Sequence, residues 1–319
     1  MKNELLNKNL LSAIKQQIAD NESLACKLMN ILFISKEAAY RRIRGEVPFT
    51  FFEAAKIANK LNISLDSVIG NSDPYNAPFS MNFLQYTDMN KYHYSFFEEL
   101  IIGMQQIKDF PVSELGTSSN ILPAYMTHKY ESLFKFNVFK WGQYYTQSDT
   151  KSFKELIFTD RLMFLNQQYA KLVKDIKVTE VVLDYMAFNY LCNDIIYFKE
   201  NGILQNECVE ILKKDLNLLI DDLEVILYKG EYENGHKINI YISDLNFESS
   251  YHYVHMGTYH LALIDAFGMN DVSSNDKGVY SAVKDWISSL KRFSTLISGT
   301  GEKFRIKYLK EQRKLVEKL

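Results

Sequence analysis

One short segment near the amino terminus gathers side chains that can bind a polyanion. Lys36, Tyr40 and Arg44 recur at i, i+4 and i+8, which places them on one face of a helix. Arg41 lies beside that face, and Glu37 stands one turn before Arg41. Arginine and lysine can pair with guanine edges and with phosphates. The spacing therefore predicts a DNA-contacting helix; the alternative interpretation is an exposed basic helix without a ligand.

The side chains of this segment divide into two predicted roles. Base-edge or groove contact is assigned to Tyr40, Arg41 and Arg44, and phosphate contact to Lys36 and Arg42. Four cations face one anion between Lys36 and Arg44, which favours contact with DNA. The full set of predicted DNA-binding residues is Ser35, Lys36, Glu37, Tyr40, Arg41, Arg42 and Arg44.

The flanking residues predict a helix-turn-helix unit around this segment. Glu22–Leu32 fits a first short helix, and Phe33–Ile34 leaves only a tight turn after it. Ser35 can cap the second helix through its hydroxyl, from where it could also touch the DNA backbone. Gly45 can close that helix. Two short helices joined in this way form a DNA-reading motif.

Three further helices complete the predicted domain. Leu5–Ile18 has the amphipathic spacing of a first helix. Thr50-Phe-Phe-Glu53 forms a capping box that opens the helix Phe51–Leu61. Ser64-Leu65-Asp66 begins one or two more helical turns. The sequence thus predicts five helices within the first 70 residues.

Several short motifs of this region are shared with one known family. They are Ile34-Ser35, Arg41 to Gly45, Pro48 and the run Ala55 to Asp66. On these motifs the chain resembles, from Leu5 to Gly70, the DNA-binding domain of the Cro and phage-repressor type, also called Xre-type. Phe33 stands where that family usually has the turn glycine, and Ala25 where a phosphate-contacting glutamine is common. The resemblance implies a dimer that binds related half-sites on double-stranded DNA.

The charge of the chain is divided unevenly. Residues 1–70 hold ten Lys or Arg against seven Asp or Glu, a balance of +3. The net charge of the whole chain is −2, so residues 71–319 carry −5. A positively charged amino-terminal region followed by an acidic remainder is the arrangement expected when only the amino-terminal region binds a polyanion.

Cysteine usage and hydropathy predict a cytoplasmic protein that does not associate with a membrane. The three cysteines, Cys26, Cys192 and Cys208, are sparse and odd in number, which fits free thiols. The sequence has no apolar run long enough to cross a bilayer, and the first residues lack the apolar stretch of a signal peptide.

Composition predicts two domains joined by a linker. Residues 71–90 are polar at their start and contain Pro74 and Pro78, which is typical of a connecting segment. The predicted organisation is a helix-turn-helix domain at 1–70, a linker at 71–90, and a regulatory or dimerisation body at 91–319.

The fold class predicted for the whole chain is mainly α. In the body, helices are predicted near 92–107, 122–147, 153–176, 180–200, 207–229, 275–298 and 302–318. Gly202 and Gly230 stand where helices should stop. The strict alternation of Ile238, Ile240 and Ile242 predicts a strand, and a small antiparallel β-sheet is expected across 237–268. The final helix is basic, and a solvated face is favoured over contact with DNA or an acidic partner.

Other residues that could form a metal site or a phosphate-binding loop do not have the spacing that such a site requires. His252 and His255 would fall on opposite faces of a strand, so they are not predicted to form a metal pair. Residues 298–303 lack the glycine spacing and the final Ser or Thr of a phosphate-binding loop. The sequence therefore nominates no catalytic residue, cofactor or metal, and an enzyme is not predicted.

The leading hypothesis is a sequence-specific, dimeric transcriptional regulator whose body senses or oligomerises. A second hypothesis makes the body a scaffold that holds a partner protein or peptide, while DNA binding only localises it. A third adds a small-molecule effector pocket formed by the strand-rich segment and its helices. Aromatic content alone, with 21 Tyr and 21 Phe, motivates that pocket.

Overall fold

The first part of the chain folds into five helices, as predicted. The computed structural model describes residues 2–16, 18, 23–61, 63, 65–69, 78–82, 97–98, 101–102, 104–105, 110–145, 152–257 and 259–319. The first five helices are α1 (Lys2–Gln16), α2 (Leu24–Leu32), α3 (Lys36–Ile43), α4 (Phe51–Leu61) and α5 (Leu65–Ile69). They enclose one apolar core, in which Ile14, Leu28 and Ile57 have no exposed surface. Burial of these side chains is the main force that holds such short helices together.

The local capping signals predicted for this region are confirmed. The Ser35 hydroxyl accepts a hydrogen bond from the Ala38 amide at 3.3 Å. Thr50 and Glu53 form the reciprocal capping box, with the Glu53 carboxylate accepting from the Thr50 amide at 2.9 Å. Gly45 follows α3 with a positive φ of 79°, which a glycine adopts without strain. These caps confirm where the second helix of the motif begins and ends.

The body is built on an eight-stranded mixed sheet. Its strands are β1 (Ser80–Asn82), β2 (Ser113–Ser119), β3 (Val178–Asp184), β4 (Lys237–Ser243), β5 (Tyr251–Met256), β6 (Tyr259–Phe267), β7 (Asn270–Ser274) and β8 (Ser294–Leu296). The strand order is β1-β7-β6-β5-β2-β3-β4-β8. β2, β3 and β4 run parallel to one another, whereas the remaining pairs are antiparallel. β1 lies within the range predicted as a linker and pairs with β7.

Helices cover both faces of this sheet. The helices of the body include α6 (Ala124–Thr127), α7 (Glu131–Tyr145), α8 (Asp160–Val173), α9 (Ala187–Glu200), α10 (Asn206–Lys229), α11 (Lys277–Lys291) and α12 (Glu302–Glu317). Most of the helix predicted near 92–107 lies outside the described residues. Val181 of β3 belongs to the same buried cluster as residues of α9, α10 and α12, whereas the next residue, Val182, belongs to a cluster with residues of α11 on the other face. The centre of the sheet is therefore buried between two helical layers.

The prediction of a mainly α body with a small antiparallel sheet is wrong. β2 and β3 lie outside the predicted range of 237–268, and β3 occupies the start of the helix predicted at 180–200. β3 is an interior strand of the sheet, and residues Thr179–Asp184 are all buried although Thr179, Glu180 and Asp184 are polar. Its sequence, Val-Thr-Glu-Val-Val-Leu-Asp, therefore lacks the alternation of apolar and polar residues that marks a strand with one solvated face.

Several body elements match the prediction in part. α10 and α12 fall within the ranges expected for helices, and Gly202 and Gly230 have φ of 70° just after α9 and α10. Of the strands within the range 237–268, only β5 and β6 pair antiparallel with each other; β2 and β3 separate β4 from them, and β4 pairs in parallel with β3 and antiparallel with β8. Of the basic residues in α12, Arg305 is buried, which differs from the solvated face expected for that helix.

Candidate nucleic-acid interface

The face of α3 that points to solvent carries five of the seven predicted DNA-binding residues. Lys36, Glu37, Tyr40, Arg41 and Arg44 are all exposed, and together they cover an arc of roughly 140° around the helix axis. The opposite side, with Ala39 fully buried, packs into the domain core. Ser35 is exposed at the amino end of the same helix. The structure thus places six of the predicted residues around one accessible surface, which we call the α3 face.

Arg42 is the exception, because it points toward α4 and away from the α3 face. Its Nη2 donates to Glu53 Oε1 at 2.6 Å and its Nε donates to Glu53 Oε2 at 3.3 Å. The two side chains are each only 15% exposed. Arg42 Nη1 also donates to the carbonyl of Ala38 at 3.2 Å. This guanidinium therefore joins α3 to α4, and its predicted phosphate contact has no geometric support.

Glu53 consequently serves two partners at once. Its carboxylate accepts from the Thr50 amide in the capping box and from Arg42 in the ion pair. Burial alone would raise the pKa of Glu53, but the hydrogen bonds from Arg42 and Thr50 lower it below the ordinary value of 4.5. The sequence indicated the capping role of Glu53 and gave no sign of the pairing with Arg42.

The arginines of the α3 face are held by a carboxylate that sequence reasoning missed. Glu46, in the loop after α3, accepts from Arg44 Nε at 2.6 Å and lies 3.6 Å from Arg41 Nε. Arg44 also lies 3.6 Å from Glu37. The hydrogen bond with Glu46 raises the pKa of Arg44, and the same bond lowers the pKa of Glu46. The sequence feature that could have indicated this pairing is an acidic residue two positions after Arg44.

These ion pairs are exposed and can be exchanged for DNA contacts. The side chains of Arg41, Arg44 and Glu46 are 53%, 49% and 47% exposed. Ion pairs at such exposure contribute little net stability and are screened by salt. Separating Glu46 from Arg41 and Arg44 therefore costs little free energy, so both guanidinium groups are accessible to an anionic ligand.

The turn before α3 keeps a left-handed backbone without a glycine. Phe33 has φ of 57° and ψ of 46°, and its side chain is 87% exposed. Its amide donates to the carbonyl of Met29 at 2.9 Å, which ends α2. A side chain in this conformation is strained. The backbone geometry expected of the motif is thus retained at a cost, even though the usual glycine is missing.

A surface pocket in the described part of the body bears on the predicted effector. It lies between α6, α8, α10 and β4, and its polar lining includes Tyr125, Lys129, Tyr130, Lys174 and Asp222. Lys129 and Tyr130 both bind the Asp222 carboxylate, so much of this polar lining is already satisfied. The effector remains a prediction that this pocket neither supports nor contradicts.

A comparison with protein families agrees with the geometry of the first domain. A family model described as the BetR domain matches residues 2–87. That domain is found in regulators of the helix-turn-helix type. The similarity suggests a DNA-binding regulator and covers the α3 face together with β1. No curated protein matches the chain. Within the described residues, no helix has the length and apolar character required to cross a membrane.

Proposed function

We propose that this protein is a sequence-specific DNA-binding transcriptional regulator that reads DNA through the α3 face. The observation that carries the proposal is the shared exposure of Lys36, Tyr40, Arg41 and Arg44 on the second helix of a helix-turn-helix. The BetR-domain match supports the same class of function. A recognition helix with this composition can enter the major groove and pair with base edges.

Each residue of the α3 face has a distinct role in the proposal. Arg41 and Arg44 contact base edges, with Tyr40 beside them in the groove. Lys36, near the amino end of α3, contacts phosphate. Arg42 is left out of the contact set, because Glu53 and Ala38 already bind its guanidinium. The protein acts by binding, and we propose no catalytic step.

The proposal includes a dimer, because one short helix reads only a few base pairs. Two copies bound about one helical turn apart would read an inverted repeat. The likeness to the Cro and phage-repressor type motivates this arrangement. The acidic balance of residues 71–319 keeps the body from adding nonspecific affinity for the polyanion.

Selection of bound duplexes tests the proposal directly. The full chain is incubated with a randomised duplex library near physiological salt, and the bound fraction is sequenced after several rounds. An enriched inverted repeat is expected. Substitution of Arg41 or Arg44 by alanine should then cost about 1 to 3 kcal/mol of binding free energy and relax the preference at one position.

A matched control separates base reading from loss of charge. Lys60→Ala removes one exposed cation from α4 of the same domain, outside the α3 face. Its affinity for the selected duplex should stay close to that of the parent. Equal affinity and selectivity in Arg41→Ala, Arg44→Ala and the parent would contradict the proposal.

A further inference from the structure

One side of α10 exposes apolar residues at a regular interval. Ile211, Leu218 and Val225 follow one another every seven residues along this 24-residue helix. Their exposed fractions are 53%, 44% and 53%. Tyr228, one turn beyond Val225, is 72% exposed. Single exposed apolar residues are ordinary on protein surfaces, but an apolar residue at every seventh position of one helix supplies one of the two apolar positions in each heptad of a helix-pairing seam.

We call the strip formed by Ile211, Leu218 and Val225 the seam. Neighbouring elements contact α10 on both sides of the seam and leave it exposed. On one side, Arg313 of α12 donates to Asp221 and Glu224, each at 2.7 Å. On the other side, Lys129 and Tyr130 bind Asp222. The exposed strip between these contacts runs the length of the helix, about 36 Å. A partner helix therefore has a continuous, firmly held surface on which to lie.

Charged residues alternate with the apolar ones along the same strip. Lys214 lies between Ile211 and Leu218, and Asp221 lies between Leu218 and Val225. Both charged residues are exposed, and helical geometry puts them along the same edge of the seam. The strip therefore carries the Lys214 ammonium on one side of Leu218 and, at nearly the same distance on the other, the Asp221 carboxylate, whose Oδ1 also accepts from Arg313.

This pattern is complementary to itself in only one orientation. If a second α10 runs antiparallel about a twofold axis at Leu218, Ile211 faces Val225 of the second copy. Lys214 then faces Asp221 of that copy, and the exposed residues Glu207 and Lys229 are brought to the same level. A parallel pair in register would instead place Lys214 against Lys214 and Asp221 against Asp221. Like charges directly opposed are unfavourable, so the antiparallel pairing is preferred.

We propose that α10 is a self-association surface, on which a second copy of this chain binds antiparallel about a twofold axis at Leu218. The surface is self-complementary, as a twofold interface requires. It lies in the body, so the α3 face stays free for DNA. The inference deepens the proposed function by naming the surface that forms its dimer, and it is tested without DNA, so each proposal can fail independently.

Cross-linking at the axis tests the predicted symmetry. In the full chain carrying Cys26→Ser, which removes the exposed native cysteine, Leu218→Cys is introduced; Cys192 and Cys208 are buried. A residue on the twofold axis meets its own copy, and a disulfide requires the two Cα atoms to lie within about 7 Å. Mild oxidation should give a covalent dimer. Ile157→Cys, at a 77% exposed position of the body, should cross-link at least tenfold more slowly. Equal rates at the two positions would overturn the proposal.

Sedimentation equilibrium of the same full chain tests the seam. The parent should be a dimer at micromolar concentration, and Leu218→Glu, which opposes two carboxylates at the axis, should weaken the dimer at least tenfold. Ile157→Glu is the matched control and should remain dimeric. Circular dichroism checks that each variant is folded. A monomeric parent, or a Leu218→Glu variant as dimeric as the control, would contradict the proposal.

Charge exchange tests the orientation. Lys214→Glu and Asp221→Lys each oppose like charges in their own dimers, so each should associate more weakly than the parent. When the two variants are mixed, each heterodimer has two pairs of unlike charges. In one pair the two introduced side chains face each other, and in the other the native Lys214 of one chain faces the native Asp221 of the other. Differently tagged chains should therefore form heterodimers in at least tenfold excess over a statistical mixture. A statistical mixture would exclude the antiparallel pairing.

Discussion

Arg42 and Glu53 join the helix that presents the α3 face to the helix that follows it. The guanidinium donates to both oxygens of the carboxylate, at 3.3 and 2.6 Å, and both side chains are mostly buried. Because Glu53 also caps α4 through the Thr50 amide, one carboxylate links α3 to the beginning of α4. The α3 face is therefore supported by a residue that does not lie on it.

Glu53→Gln should loosen the α3–α4 contact. The amide cannot accept two charge-assisted hydrogen bonds, and the Arg42 charge is left poorly paired, so we expect a loss of about 1 to 2 kcal/mol of local stability. Hydrogen exchange of α3 and α4 amides in the full chain measures this loss. Glu46→Gln, which removes an exposed carboxylate from the same region, should leave the exchange of those amides unchanged.

The same pair should make the domain sensitive to acid. The pKa of Glu53 is lowered in the folded chain, so its contribution is present above the unfolded value, ordinarily 4.5, and is lost as pH falls through the folded value. Hydrogen-exchange rates, corrected for the intrinsic effect of pH, should show that α3 and α4 of the parent open more easily below the pKa that Glu53 has in the folded chain. The Glu53→Gln variant should lack this component; an identical pH profile in both proteins would refute the assignment.

Glu46→Gln should increase affinity for DNA. Glu46 holds Arg44 through a hydrogen bond of 2.6 Å and attracts Arg41, so DNA must displace it before those arginines can bind. Removing the competitor should tighten binding to the selected duplex by roughly two- to fivefold at low salt, with a smaller gain at high salt. Fluorescence anisotropy at two salt concentrations measures both. Glu248→Gln, an exposed carboxylate of the body, is the control and should bind as the parent does.

The helix-turn-helix could be predicted because its signals are local. Ser35, Gly45 and the Thr50–Glu53 box each determine a helix end within a few residues of themselves. The side of α3 that each charge occupies was harder to predict. Arg42 had the same residue type as its neighbour Arg41, and only the position of Glu53 on another helix shows that it points inward.

The body could not be predicted to the same extent because its centre depends on distant contacts. β2 has the sequence Ser-Glu-Leu-Gly-Thr-Ser-Ser, which lacks the β-branched and aromatic pattern of a strand. Its burial comes from β3 and β5, which pair with it from far along the chain. The sequence of β3, a strand buried on both faces, lacks the alternation that marks a half-buried strand, whereas the alternating isoleucines of β4 do mark one.

The substitution Gly116→Ala should show why β2 has a glycine opposite Tyr253. Gly116 lies directly opposite Tyr253 in the register, and the tyrosine ring fills the space where a side chain would stand. A Cβ at Gly116 would lie 2.0 Å from Tyr253 Cε1, so the ring must move and its 2.5 Å hydrogen bond to Glu114 must break. We expect a loss of about 2 to 3 kcal/mol.

Denaturation followed by tryptophan fluorescence measures this loss in the body, because Trp141 and Trp286 both lie there. The control is a double-mutant cycle with Tyr253→Ala, in which the added methyl no longer meets the ring. Gly116→Ala should cost much less in that background. An equal cost in both backgrounds would mean that the effect comes from the backbone and not from Tyr253.

Arg305→Met should destabilise the body although Arg305 belongs to a basic helix predicted to be solvated. Its Nη1 donates to three carbonyls, those of Leu227, Ile297 and Thr300, at 3.0 to 3.2 Å. Methionine keeps the apolar stem and removes this donor; the Leu227 carbonyl still accepts from the Gly299 amide at 2.8 Å, whereas the carbonyls of Ile297 and Thr300 lose the guanidinium, which should cost about 3 kcal/mol. Tryptophan-monitored denaturation measures the change. Lys307→Met, at a 71% exposed side chain two residues away, should be close to neutral. Equal losses of stability in the two variants would mean that the cost reflects charge or helix propensity and not the carbonyl cluster. Of the two side chains, only Arg305 reaches beneath the helix, where it holds the end of α10 against the loop after β8.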